Sequence, residues 1–123
     1  MLVDPLFQAH DRLAYAIVLY LSAVGLWGLV LGARGTGPTS GFRGALVIAE
    51  LVAVAIGVLG VALSITRGRF EALHALYGAA LVLALPLAAT LVRERTPRGK
   101  SVALGLAALF AAGLAIRGIT TAG

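Results

Sequence analysis

Three side chains in this sequence could do chemistry in apolar surroundings: His10, His74 and Glu50. Imidazole is the commonest metal ligand in proteins, and it also transfers protons near neutral pH. A carboxylate in a membrane helix costs about 2.5 to 3.5 kcal/mol to insert, so it needs a partner or a function. The chain has no cysteine, which excludes thiolate ligands, disulfides and thiol redox chemistry.

Four long apolar segments must position these residues. The chain of 123 residues is 60% hydrophobic and only 12% charged, which is too apolar for a soluble domain. Crossing a bilayer takes about 20 apolar residues. We therefore predict an all-α fold, a polytopic membrane protein built as an antiparallel four-transmembrane-helix bundle. The single membrane domain covers residues 1–123, with helices at about 11–33, 43–66, 70–92 and 100–118.

The basic residues lie in the connections between these segments and predict the topology. Six lie on one side of the predicted bundle, namely Arg34, Arg43, Arg93, Arg95, Arg98 and Lys100. Four lie on the other side, namely Arg12, Arg67, Arg69 and Arg117. Because basic loops favour the cytoplasmic side, we expect both termini outside a bacterial-type cytoplasmic membrane. Because these charges are distributed over several connections and do not lie on one face, they do not predict a nucleic-acid-binding surface.

Small residues recur at four-residue spacing in two of the predicted helices. Gly28 and Gly32 form a GxxxG pair in the first helix, and Ala107, Ala111 and Ala115 repeat in the fourth. Such spacing lets helix backbones approach closely. It predicts tight contact within one bundle, with an oligomer interface as the alternative.

The topology brings the two histidines to the same depth, although they are far apart in sequence. His10 precedes the first apolar span and His74 begins the third, so two crossings return the chain to its starting side. One turn deeper on each helix lies a small residue, Ala14 or Gly78, which would leave space beside each imidazole. The pattern fits a b-type haem held by two histidines, with hydrated histidines at helix ends as the plain alternative. Three arginines on that side could pair with its propionates: Arg12, Arg67 and Arg69.

Three stretches resemble one half of the haem A synthase family. They are "HDRLAYAIVLYLSAVGLWGLVLGAR", "AIGVLGVALSI" and "LHALYGAALVLALPLAA". The family is built from two tandem four-helix halves, each with two histidine ligands to a haem near the outer face. His10 and His74 fall on those ligand positions. The resemblance also implies that a single half pairs with a second copy of itself.

The sequence departs from the family at positions that matter for its enzymatic activity. The family's catalytic glutamate lies three residues before the first ligand, where this chain has Phe7. The family's arginine directly follows the ligand, whereas Arg12 lies two places after His10. The ligands would lie on the first and third helices instead of the second and fourth, and the extracellular cysteine pair is absent. We therefore expect an electron carrier or a subunit and not a stand-alone haem A synthase, and we assign no catalytic residue.

These observations predict a haem b-binding integral membrane protein that transfers electrons or handles haem near the outer membrane face. Its expected partners are the lipid bilayer, a second copy or a larger membrane complex, and a quinone. Glu50 is the candidate proton, quinone or partner site, with an interhelical hydrogen bond as the plain alternative. Two other functions remain open. One is a cofactor-free accessory or structural subunit of a respiratory or photosynthetic complex, and the other is a small-solute or proton transporter using Glu50.

Overall fold

The computed structural model describes residues 3–68 and 71–120, and these residues form four helices. They are α1 (Val3–Ala33), α2 (Ser40–Arg67), α3 (Ala72–Leu91) and α4 (Pro97–Thr120). Each helix contains a stretch long and apolar enough to cross a membrane. The predicted all-α bundle is confirmed, and its apolar helices indicate an integral membrane protein.

The first and fourth helices are longer than their apolar segments predict. The α1 helix begins at Val3, well before the expected start near residue 11, and α4 runs from Pro97 to Thr120. Hydropathy detects only the part of a helix that is apolar, whereas polar residues such as Gln8 and Arg12 also continue a helix without penalty. His10 consequently lies within α1 and not in a segment before it.

Local capping signals explain where the helices begin and end. The Thr39 hydroxyl accepts a hydrogen bond from the backbone N–H of Phe42 at 3.1 Å, which caps the start of α2. Gly68 ends α2 in the left-handed conformation with φ of 64°, which glycine adopts without a steric penalty. At the start of α4, Thr96 accepts from the N–H of Gly99 at 3.1 Å, next to Pro97 in the first helical position.

The four helices pack in a ring in which each contacts the next along the chain, and α4 contacts α1. The contact between α1 and α4 is the most extensive, and the contact between α2 and α3 is the least extensive of the four. The core includes Ile17, Leu21, Phe42, Ala49 and Ala108. Large apolar side chains of α2 and α3 face outward, as expected for helices in contact with lipid.

Glycines explain why α1 and α4 approach so closely. A Cβ built at Gly28 would lie 2.7 Å from the Cα of Gly105, and one built at Gly32 would collide with Val102. On α4, Ala111 and Ala115 are buried and Ala107 is half-buried. The predicted close contact within one bundle is therefore present, with Gly28 against Gly105 and Gly32 against Val102.

Candidate functional site: a histidine pair and a cavity below Glu50

The structure brings the two histidines together across the bundle. His10 on α1 and His74 on α3 have ring centroids 5.9 Å apart, with the ring planes tilted by 55°. Both residues are half-buried. We call this end of the molecule the histidine end, and the opposite end, which carries the connections 34–39 and 92–96, the loop end.

A backbone carbonyl of α4 fixes the His74 ring. Nδ1 of His74 lies 2.9 Å from the carbonyl oxygen of Gly118. A carbonyl oxygen only accepts, so Nδ1 is the protonated nitrogen that donates this bond. In the neutral ring, Nε2 then keeps its lone pair, which is the state that binds a metal.

A glycine lies near each of the two imidazoles. A Cβ built at Gly60 of α2 would lie 3.3 Å from Nε2 of His10, closer than an ordinary contact. A Cβ built at Gly78 would meet no atom within 4 Å, so the side of α3 one turn from His74 is open. Ala14, one turn from His10, is half-buried.

The arginines of the histidine end lie near aromatic rings or at the surface. The Arg67 guanidinium carbon lies 4.9 Å from the centroid of Phe7, and that of Arg117 lies 5.7 Å from the centroid of Tyr77. Both are cation–π distances. Arg12 is exposed, and Arg69 lies outside the described residues.

Among the described residues, the histidine end offers two imidazoles as candidate ligands for a metal. Within residues 3–68 and 71–120, no group of three or more histidine, cysteine or acidic side chains could hold a metal ion together. A ligand of this pair must therefore bring the remaining donors of its metal.

Glu50 lies in a different part of the bundle. Its Oε1 atom is buried and has no hydrogen-bond partner in the described part of the chain. The residue lines a cavity of about 410 Å³ at the loop end, between α2, α3 and α4. The remaining lining residues are Pro38, Arg43, Leu46, Val47, Leu85, Pro86, Ala89, Val92, Arg93, Lys100 and Leu104.

The two sites are separated along the bundle axis. Gly60 marks the level of His10 on α2, and Glu50 lies ten residues away on the same helix. At 1.5 Å per residue, this separation is about 15 Å. The histidine pair and the Glu50 cavity are therefore distinct sites, joined by one helix.

The chain matches no known family model, no curated protein and no solved structure. The candidate site is therefore described by its own geometry alone.

Two residues of the site give no signal in the sequence. Gly118 contributes a carbonyl, which every residue has, and Gly60 contributes the absence of a side chain. Either role depends on the rotation of a helix about its axis. In a sequence with apolar residues all around each helix, periodicity does not define that rotation.

Proposed function

We propose that this protein binds one b-type haem through His10 and His74 and transfers electrons or handles haem at one membrane face. The observation that carries the proposal is the pairing of the two rings at 5.9 Å, with Nδ1 of His74 bonded to a carbonyl. Proteins usually orient a metal-binding histidine by a hydrogen bond from its other ring nitrogen to a carbonyl, a carboxylate or water.

The separation of the rings suits one metal between two imidazoles. A metal–imidazole bond is about 2 Å long, and a ring nitrogen lies roughly 1 Å from its centroid, so two ligands place their centroids about 6 Å apart. The observed 5.9 Å agrees with this value.

The shortage of protein ligands favours haem over a bare ion. Zinc in structural sites takes four protein ligands and in catalytic sites three. The described residues offer only two imidazoles here. A porphyrin would supply the remaining nitrogen donors itself, so His10 and His74 would be the only protein ligands that hold the group. When bound, haem supplies a one-electron couple whose potential depends on its axial ligands and surroundings.

The chain's own residues have separate roles in this proposal. The Gly118 carbonyl accepts the hydrogen bond from Nδ1 of His74 and so holds the tautomer that would bind a metal through Nε2, and Gly60 lets the Nε2 edge of His10 pack closely against α2. Arg12 and Arg67 are the described arginines of this end that we expect to pair with propionates. The Phe7 ring packs beneath Arg67, so the position of the family's catalytic acid is occupied by a stacking residue. This supports electron transfer or haem handling over haem A synthesis.

We further propose that the histidine end faces outward. Six basic residues at the loop end against four at the histidine end favour a cytoplasmic loop end. The proposal includes pairing of two copies, as the resemblance to half of a duplicated family implies. A single-chain mass for the haem-loaded protein in mild detergent would contradict the pairing.

The test is purification after expression with haem supplied. We expect a Soret band and a reducible alpha band at one haem per chain, with haem retention lost at least tenfold in His10→Ala and in His74→Ala. Gln8→Ala, at an exposed position next to the site, serves as the control and should retain the haem. A colourless wild-type protein would contradict the proposal and leave an accessory subunit as the better interpretation.

A further inference from the structure

We propose that the Glu50 cavity binds a membrane-soluble hydroquinone, a neutral ring that carries hydroxyl groups and an apolar tail. The proposal stands on the cavity alone and does not require haem at the histidine pair.

The carboxylate of Glu50 has an oxygen without a hydrogen-bond partner in the described part of the chain. This atom, Oε1, is buried, and the residue lines the cavity. A buried polar atom without a partner is costly, particularly in hydrocarbon. A ligand with an O–H group would supply the missing donor.

Three basic residues line the same cavity as Glu50. Arg43 of α2, Arg93 of the connection 92–96 and Lys100 of α4 lie on its wall. Arg43 lies seven residues before Glu50, about 10 Å closer to the loop end. The basic residues oppose the entry of a cation from the loop end, and the carboxylate opposes an anion deeper in the cavity. A neutral head group avoids both costs, which disfavours the transport of a cationic solute.

The volume and the lining of the cavity suit a small, mostly apolar ligand. A volume of about 410 Å³ lies within the usual range of about 300 to 1,000 Å³ for small-molecule sites. Most of the wall is apolar, including Leu46, Leu85 and Leu104. A single aromatic ring whose hydroxyl group donates a hydrogen bond to Glu50 suits a cavity of this size and lining.

A ligand dissolved in the bilayer could reach the cavity between α2 and α3. The cavity lies beside the contact between α2 and α3, which is the least extensive contact between neighbouring helices. Val47 on α2, and Pro86 and Ala89 on α3, line the cavity and are also exposed on the lipid-facing surface. An apolar tail could leave the cavity between these residues and continue into the lipid.

The experiment measures the binding of a hydroquinone with a ten-carbon tail to the protein in phosphatidylcholine nanodiscs. Samples are kept anaerobic, and empty nanodiscs give the partition background. We expect saturable binding of one molecule per chain. Glu50→Leu should weaken it about tenfold, because the hydrogen bond that the ligand hydroxyl donates to Oε1 is lost and the hydroxyl is left without an acceptor. Ala89→Phe should also weaken it, by filling the cavity.

Two matched variants control for charge and bulk. Glu94→Gln removes an exposed acid outside the cavity, and Ala79→Phe adds the same bulk at an exposed position of α3 outside the lining. Both should bind like the wild type. The double variant His10→Ala, His74→Ala should also bind normally, so failure of the haem proposal would leave this result unchanged.

Three outcomes would overturn the proposal. The first is no saturable binding above empty nanodiscs, and the second is equal affinity in Glu50→Leu and the wild type. The third is displacement of the probe by an anionic phospholipid whose own binding is unaffected by Glu50→Leu, because the cavity would then be a phosphate site of Arg43, Arg93 and Lys100.

Discussion

At the scale of single residues, the histidine end is defined by atoms that side-chain chemistry does not reveal. His74 is oriented by the main chain of Gly118, and His10 reaches toward Gly60 because that residue has no side chain. The proposed ligands can be identified by residue type, whereas the residues next to them that we propose position them are glycines. Substitutions at those glycines therefore test the site without removing a ligand.

Gly60→Ala should weaken haem binding. The added Cβ would lie 3.3 Å from Nε2 of His10, and overpacking of this kind costs about 1 kcal/mol or more, roughly a fivefold loss of affinity. Haem titration of the purified apoprotein measures the change. Gly57→Ala, one turn away, is the control because its Cβ would make an ordinary contact at 3.7 Å with Val82. Equal affinities in the two variants would show that Gly60 has no role beside His10.

Glu50→Leu should stabilise the protein when no ligand is present. Leucine has a similar volume and removes a buried oxygen that lacks a partner, a cost of about 1 to 3 kcal/mol. We expect the unfolding temperature in detergent to rise by several degrees, with Glu94→Gln unchanged as the control. A lower unfolding temperature in Glu50→Leu would mean that Glu50 has a stabilising partner.

At the scale of helices, the sequence predicts the number, order and direction of the elements but not their rotation. Length and hydropathy identify four spans, and counting crossings places His10 and His74 at the same depth. Hydropathy places the start of α1 too late because polar residues interrupt the helical stretch 3–12. The cavity beside Glu50 is not predictable either, because it requires the relative positions of three helices.

Gly28→Ala should destabilise the bundle. Its Cβ would lie 2.7 Å from the Cα of Gly105, so the backbones of α1 and α4 would have to separate, at a cost of about 1 to 3 kcal/mol. Thermal unfolding in detergent checks this. In Gly113→Ala the new Cβ meets no atom within 4 Å, so that variant should be neutral or slightly more stable. Similar stabilities of the two variants would contradict the close contact between α1 and α4.

At the scale of the whole molecule, two distinct sites lie at different depths of one small bundle. The histidine pair is close to one end, and the Glu50 cavity is about 15 Å away along α2 toward the basic loop end. In the proposed orientation, the proposed haem site would lie near the outer face and the proposed hydroquinone site nearer the cytoplasm.

The orientation predicts the location of the C-terminus. A reporter that is active only outside the cytoplasm should be active when fused after Gly123, because the loop end carries the larger share of basic residues. The same reporter inserted between Gly35 and Thr36 should be inactive. The reverse pattern would place the histidine end in the cytoplasm.

The central claim is that both histidines bind one haem, and imidazole rescue tests it most directly. The chain has only two histidines, so His10→Gly leaves a single protein ligand and a space where the ring was. We predict a low-spin, six-coordinate electron paramagnetic resonance spectrum in the wild type, a high-spin spectrum in His10→Gly, and a return to low spin when free imidazole is added. A low-spin spectrum in His10→Gly without imidazole, or a wild-type protein that takes up no haem, would contradict the claim.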